Sequence, residues 1–149
     1  MRILLSTTLL ILQCLFAGQS HAEVRFPRTD LTIGMFRIDT EVAADQSARE
    51  QGLMFRRELA SNAGMVFVFD TAEEYCMWMK NTLVPLSVAF LDESGKIINI
   101  EDMKPQTEDS HCARQAAKFA LEMNLGWFKS KGFGPGAKIR GLERFGAKP

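Results

Sequence analysis

The chain has 149 residues, of which 46% are hydrophobic, and its 18 basic side chains balance 18 acidic ones. That length suits one hydrophobic core and leaves no room for a second domain. The charge balance gives no basic excess to steer nucleic acid; the one basic tilt, Lys129, Lys131, Lys138, Arg140, Arg144 and Lys148 near the C-terminus, reads as a solvated face, and no cofactor is implied.

A basic start at Met1-Arg2 leads into an apolar stretch that runs to about Gly18. Gln19-Ser20-His21-Ala22 then forms a small-residue cleavage region, so residues 1–22 read as a signal peptide and the mature chain begins at Glu23. Ser6, Thr7, Thr8 and Gln13 interrupt the apolar run, which falls short of the roughly 20 apolar residues of a spanning helix. Contact with the membrane is therefore transient, and the protein is expected to be periplasmic or secreted. Cys14 follows Gln13 rather than Gly or Ala, which argues against lipoprotein processing and places it in the discarded peptide. Residues 23–30 read as a flexible segment, and residues 31–144 as the single globular domain.

Within that domain a period of two dominates, so strands carry the core. Leu31 to Val42 predicts one long or two short strands. Asp45 or Ser47 offers a helix N-cap, with Glu50 completing a capping box after Ser47, and the helix is expected to run about ten residues to the Arg56-Arg57 pair. Met65 to Phe69 is β-branched and aromatic and reads as a buried strand, followed by another over Glu74 to Lys80. Leu86, Val88 and Phe90 alternate into a turn at Asp92-Glu93-Ser94-Gly95, and Ile98 and Ile100 resume beyond it as a hairpin.

Ala117, Phe119, Leu121 and Met123 alternate with Lys118 and Glu122, predicting a half-exposed strand. A helical turn at Trp127 to Lys131 and a strand at Ala137 to Leu142 complete the chain. The Gly132, Gly134, Pro135 and Gly136 cluster lacks the Lys-Ser/Thr of a phosphate loop and reads as a turn. About seven strands with one main helix predict a β-rich α+β domain whose sheet curls into a partial barrel.

Once the peptide is removed, only Cys76 and Cys112 remain, and an oxidising compartment favours pairing them. Closing the loop between them would stabilise the fold by about 3–4 kcal/mol.

Arg49-x-x-Gly52-Leu53-Met54-Phe55-Arg56, Trp78-Met79-Lys80-Asn81-Thr82-x-x-Pro85-Leu86 and Phe119-Ala120-Leu121-Glu122 occur in that order. On these motifs the chain resembles the bacterial family called domain of unknown function 192, over roughly Leu31 to Leu142. Met77, Ala116 and Ala137 depart from the usual Phe, Pro and Asp, and the polar signature is intact. The resemblance implies fold and export and brings no activity with it.

The Trp78 block is the leading candidate site. Strand alternation places Cys76, Trp78 and Lys80 on one face and Tyr75, Met77, Met79 and Asn81 on the other. Lys80, Asn81 and Thr82 would line a polar rim, with Trp78 as a stacking platform for a glycan or small polar ligand. Alternatively, Asn81 and Thr82 satisfy a turn while Lys80 pairs with Glu101, Asp102 or Glu122.

Arg49 and Arg56 lie close to two helical turns apart, so both can meet one anionic group or separate carboxylates. Glu122 with Glu101-Asp102 could form a carboxylate pair for acid–base work. The pattern as a whole favours a non-enzymatic envelope module that binds a glycan, a small polar ligand or a protein partner. The alternatives are a hydrolase using Glu or Asp with Lys80, a thiol enzyme using Cys76 with His111, and a copper protein using Cys76, Met77, Met79, His111 and Cys112.

Overall fold

The structure, a computed structural model, describes residues 26–147. The signal-peptide segment and its cleavage region lie outside the described residues. The first strand, β1 (Arg28–Ile33), begins three residues before Leu31, and Phe26 already packs against the core. It turns through Gly34 and Met35 into β2 (Phe36–Ala43), with Ile33 opposite Phe36, so the stretch read as one or two strands is an antiparallel pair.

Helix α1 (Gln46–Gln51) spans six residues rather than about ten. Asp45 caps it, its carboxylate accepting the Ala48 N–H at 2.8 Å, and Gly52 ends it at φ 49°, a conformation that costs glycine little. Glu50 closes no capping box; it accepts from the Gln46 side-chain amide at 2.9 Å. Strand β3 (Ala63–Glu73) then runs parallel to β2, with Thr40 opposite Gly64.

The strand expected over Glu74 to Lys80 shrinks to β4 (Cys76–Met77). The Met79 N–H is drawn to the Thr107 carbonyl and Asn81 turns at φ 55°, so the chain leaves extended geometry after two residues. Strands β5 (Leu86–Leu91) and β6 (Ile97–Met103) form the expected hairpin, whose turn is held by the Asp92 carboxylate accepting from Ser94 and Lys96 N–H groups. Strand β7 (His111–Cys112) pairs with β4 in a separate ribbon. Strand β8 (Ala117–Asn124), helix α2 (Trp127–Ser130), strand β9 (Ile139–Arg140) and a 3₁₀ turn (Glu143–Phe145) follow.

The main sheet has seven strands in the order β6-β5-β8-β3-β2-β1-β9. Its far edges meet at one end. Ile97 N–H donates to the Ala137 carbonyl at 2.9 Å, Gly136 N–H donates to the Ile97 carbonyl at 2.8 Å, and Lys96 bridges Lys138. These bonds curl the sheet into a half-barrel and blunt edges that would otherwise stay open. One face packs Leu31, Ile38, Val66, Leu121 and Phe128; the other packs Met65, Phe67, Leu86, Val88 and Phe90.

Strand β8 lies third in this order, buried on both faces, with every residue from Phe119 to Met123 buried. The half-exposed strand expected from its alternation is therefore wrong: Glu122 points into the second core rather than to water. A β-carbon on Gly64 would stand 2.6 Å from the Glu122 carbonyl oxygen, so glycine is what lets β3 approach β8 there. Gly64→Ala is expected to cost about 1–3 kcal/mol, read as a lowered unfolding midpoint, because backbone atoms must move to admit the methyl group. An unchanged midpoint would show that the two strands separate freely.

Candidate functional site

Residues opposite one another in neighbouring strands project from the same sheet face. One such row runs Arg28, Glu41, Met65, Glu122, Val88, Glu101 across β1, β2, β3, β8, β5 and β6. It carries three glutamates with different fates. Glu41 accepts from Arg28 at 3.0 Å and takes a two-pronged bond from Arg56 at 2.7 and 2.5 Å. Glu101 accepts from Arg114 at 3.2 Å and Asn99 at 3.0 Å. Glu122 makes no hydrogen bond or ion pair among the described residues, is 4% exposed, and stands between fully buried Met65 and Val88. Burial pushes its carboxyl up to about 8, so it is protonated at neutral pH.

Glu122 lies at an apolar cleft of about 320 Å³, at the lower end of the range typical of small-molecule sites. The α1 end contributes Arg49, Glu50, Leu53 and Met54, β3 contributes Phe67 and Phe69, and the irregular rim contributes Tyr75, Cys76, Met77, Trp78 and Thr82. Phe69 and Tyr75 stack with ring centres 3.7 Å apart, laying the rim against β3.

The Cys76–Cys112 disulfide ties that rim to β7. Asn99, buried on β6, in turn donates to the Cys112 carbonyl at 3.1 Å and accepts the Arg114 N–H at 3.1 Å, fastening the ribbon to the main sheet. Sequence reasoning missed Asn99, a polar residue in an otherwise apolar run from Ile97 to Ile100.

Four of the seven predicted ligand residues, Arg49, Trp78, Thr82 and Glu122, line this cleft. The other three do not. Lys80 and Asn81 belong to a separate depression with Phe55, Leu83, Gln106 and Glu108. Lys80 sits 5.1 Å above the Trp78 ring and 3.9 Å from Glu108, not on Glu101, Asp102 or Glu122. Arg56 falls beyond the end of α1, on Glu41, so the two arginines share neither a helix face nor an anion.

Arg49 reaches the cleft with its guanidinium engaged by the Ala44 and Val68 carbonyls and by Asp70 at 3.2 Å. The Thr82 hydroxyl turns back to the Lys80 carbonyl at 3.3 Å. The expected alternation about Trp78 fails too, since four consecutive residues from Tyr75 to Trp78 line one cleft.

This geometry bears on the chemical alternatives. Among the described residues no group of three or more His, Cys, Asp or Glu side chains could hold a metal ion, and the copper set has lost two thiolates to the disulfide. The same bond removes the thiol nucleophile. Glu101 is two strands from Glu122, about 10 Å, with Val88 between them. The carboxylate pair expected for acid–base work therefore does not assemble, and Lys80 is turned away from it.

Fold and site together define a small, mostly β half-barrel domain with an apolar cleft over a buried acid. The family model of DUF192, described as Uncharacterized ACR, matches residues 29–141, and the chain belongs to that family. A crystal structure from Sinorhizobium meliloti 1021, provisionally described as a transcription regulator, is similar with a TM-score of 0.76 and 35% identity, over 79% of this chain and 96% of that one. A protein of unknown function from Novosphingobium aromaticivorans DSM 12444 is similar with a TM-score of 0.73 and 29% identity, over 76% and 84%. No curated protein matches the chain.

Because Glu122 holds its proton more tightly folded than unfolded, the stability it contributes is complete below the ordinary carboxyl value of 4.5 and is lost as pH rises to about 8. Each pH unit in that window removes up to about 1.4 kcal/mol. Glu122→Gln stays neutral throughout, so its unfolding midpoint should match the native protein at the acid end of the window and exceed it at the alkaline end. Parallel pH profiles for the two proteins would show that Glu122 titrates normally.

Proposed function

We propose that the protein is a non-enzymatic binding module whose cleft takes a small molecule with an apolar body and one polar group. The observation that carries this is Glu122, buried without a partner at a cleft walled by Leu53, Met54, Phe67, Phe69, Met77 and Trp78. Burying an unpaired carboxyl costs stability, and a ligand that supplies the missing hydrogen bond offsets that cost. The apolar walls favour such a ligand over a glycan, whose many hydroxyls would find few partners there. Trp78, 48% exposed, remains the natural contact at the mouth.

The absence of an assembled acid–base pair supports binding over hydrolysis. The description of the Sinorhizobium relative suggests nucleic acid as another reading. It receives less weight here, because Arg28, Arg37, Arg49, Arg56 and Arg114 all face carboxylates within this chain. Titration with neutral N-phenyl-1-naphthylamine should give saturable fluorescence that Met54→Arg weakens about tenfold or more by setting a charge across the apolar wall. No saturation, or indifference to Met54→Arg, rejects the cleft as a ligand site.

Export belongs to the same proposal. A disulfide with an exposed Cys76 suits an oxidising compartment. The native protein should be recovered outside the cytoplasm with Glu23 as its N-terminus. Recovery from the cytosol with Met1 retained and both later thiols reactive would reject export.

A further inference from the structure

We propose that the ligand of this cleft is an organic cation, an amine with an apolar tail, whose ammonium pairs with Glu122. The inference depends on the cleft being a ligand site and specifies the ligand's charge. The polar groups around the cleft are unequal in what they leave free. Its one guanidinium, Arg49, is spent on two carbonyls and Asp70. Its two carboxyls are not so engaged among the described residues: Glu50 at the rim accepts from the Gln46 amide, and the Glu122 carboxyl has no donor. Aromatic rings of Phe67, Phe69, Tyr75 and Trp78 share the lining; Phe69 and Tyr75 cover one face of each other and Lys80 lies over one face of Trp78, and the faces left to the cleft attract cations while covering a hydrocarbon chain. An anionic ligand would meet two acids and a saturated arginine. A cation would meet the one buried acid that lacks a partner, in surroundings where charge pairing is little screened.

Binding then exchanges one positive charge for another. The Glu122 carboxyl gives up its proton to solvent, and the ammonium takes the place of that proton beside the carboxylate. On the sheet Glu122 is flanked by Met65 on β3 and Val88 on β5, both apolar, and Arg49 and Glu50 from α1 and Tyr75 from the rim line the same cleft. Glu41 and Glu101 lie further along the row, each committed to arginine. His111 on β7 does not line the cleft. Affinity should therefore rise with pH as Glu122 ionises and fall again once the amine itself loses its proton.

The test uses octylamine, octanol and octanoate, which share one apolar chain, in calorimetric titrations of the full mature protein at neutral pH in two buffers of different ionisation enthalpy. Octylammonium should bind about tenfold or more tightly than octanol. Octanoate should bind weakest, and roughly one proton should be released per amine bound. Glu122→Gln, an isosteric neutral replacement whose folding is checked by circular dichroism, should abolish both the amine's preference and the proton release. Equal binding of amine and alcohol, or octanoate binding tightest, overturns the cationic ligand and leaves the cleft standing. Failure of all three to saturate overturns the cleft and the cation together.

Discussion

The burial of β8 on both faces is the constraint from which the rest of the structure follows. A strand at the middle of a sheet has each backbone group committed to its neighbours, and here β3 and β5 flank it over nearly its full length. Apolar side chains suit such a position; a glutamate does not, because it is nearly withdrawn from water and nothing among the described residues pairs with its side chain. Gly64 sharpens the constraint from the opposite face, where the absence of a side chain lets β3 lie close against Met123 and the Glu122 carbonyl. The sheet curls about the first core, sealed where Ile97 meets Gly136 and Ala137, and the opposite face, which carries Glu122, is left to be covered by other parts of the chain. The closing parts are α1 and the β4–β7 ribbon, and the gap between them is the cleft.

The two walls are fixed by different means. The α1 wall is short, capped by Asp45 and stopped by Gly52, and it is anchored through Arg49 to the Val68 carbonyl of β3. The opposite wall has only two paired residues per strand, far too few to hold by ladder bonds alone. The disulfide, the Asn99 clasp and the Phe69–Tyr75 stack supply what the ladder lacks. The crosslink predicted from compartment is thus also a structural component of the cleft.

Much of this architecture was legible in the sequence where periodicity is strong. The β5–β6 hairpin, the buried run at Met65 to Phe69 and the partial barrel all follow from alternation and turn chemistry. The reading of β8 failed because period two separates two faces without saying that both are covered. The one clue lay in Ala120, an apolar residue between Lys118 and Glu122 on the face read as exposed, which makes Phe119 to Leu121 apolar throughout, as in a strand covered on both faces. Lys80 and Asn81 were assigned to the site because the chain was taken to remain extended past Met77. The distant Thr107 carbonyl that ends the strand is a tertiary partner no local pattern announces. Arg56 lies off the helix for a local reason, since Gly52 is a helix stop written in the sequence itself and ends α1 before Arg56 is reached.

Three non-glycine residues with positive φ among the described residues, Phe55 at 65°, Asn81 at 55° and Gln106 at 58°, gather in one place beside the cleft. For asparagine this conformation is common, whereas for phenylalanine it costs roughly 1 kcal/mol or more, and Phe55 is also 68% exposed. Backbone bonds explain how the cluster persists: Phe55 N–H donates to the Asn81 carbonyl at 2.8 Å and Gln106 N–H to the Thr82 carbonyl at 3.1 Å, stitching three loops together. Met54, next to strained Phe55, and Thr82, next to Asn81, line the cleft. The strain therefore lies beside the walls, in bonds that fix their position, which suits the binding role proposed for the cleft. A site arranged in advance loses less entropy on binding. That is a reason for a fold this small to keep a disfavoured phenylalanine beside the same cleft that holds an unpaired acid.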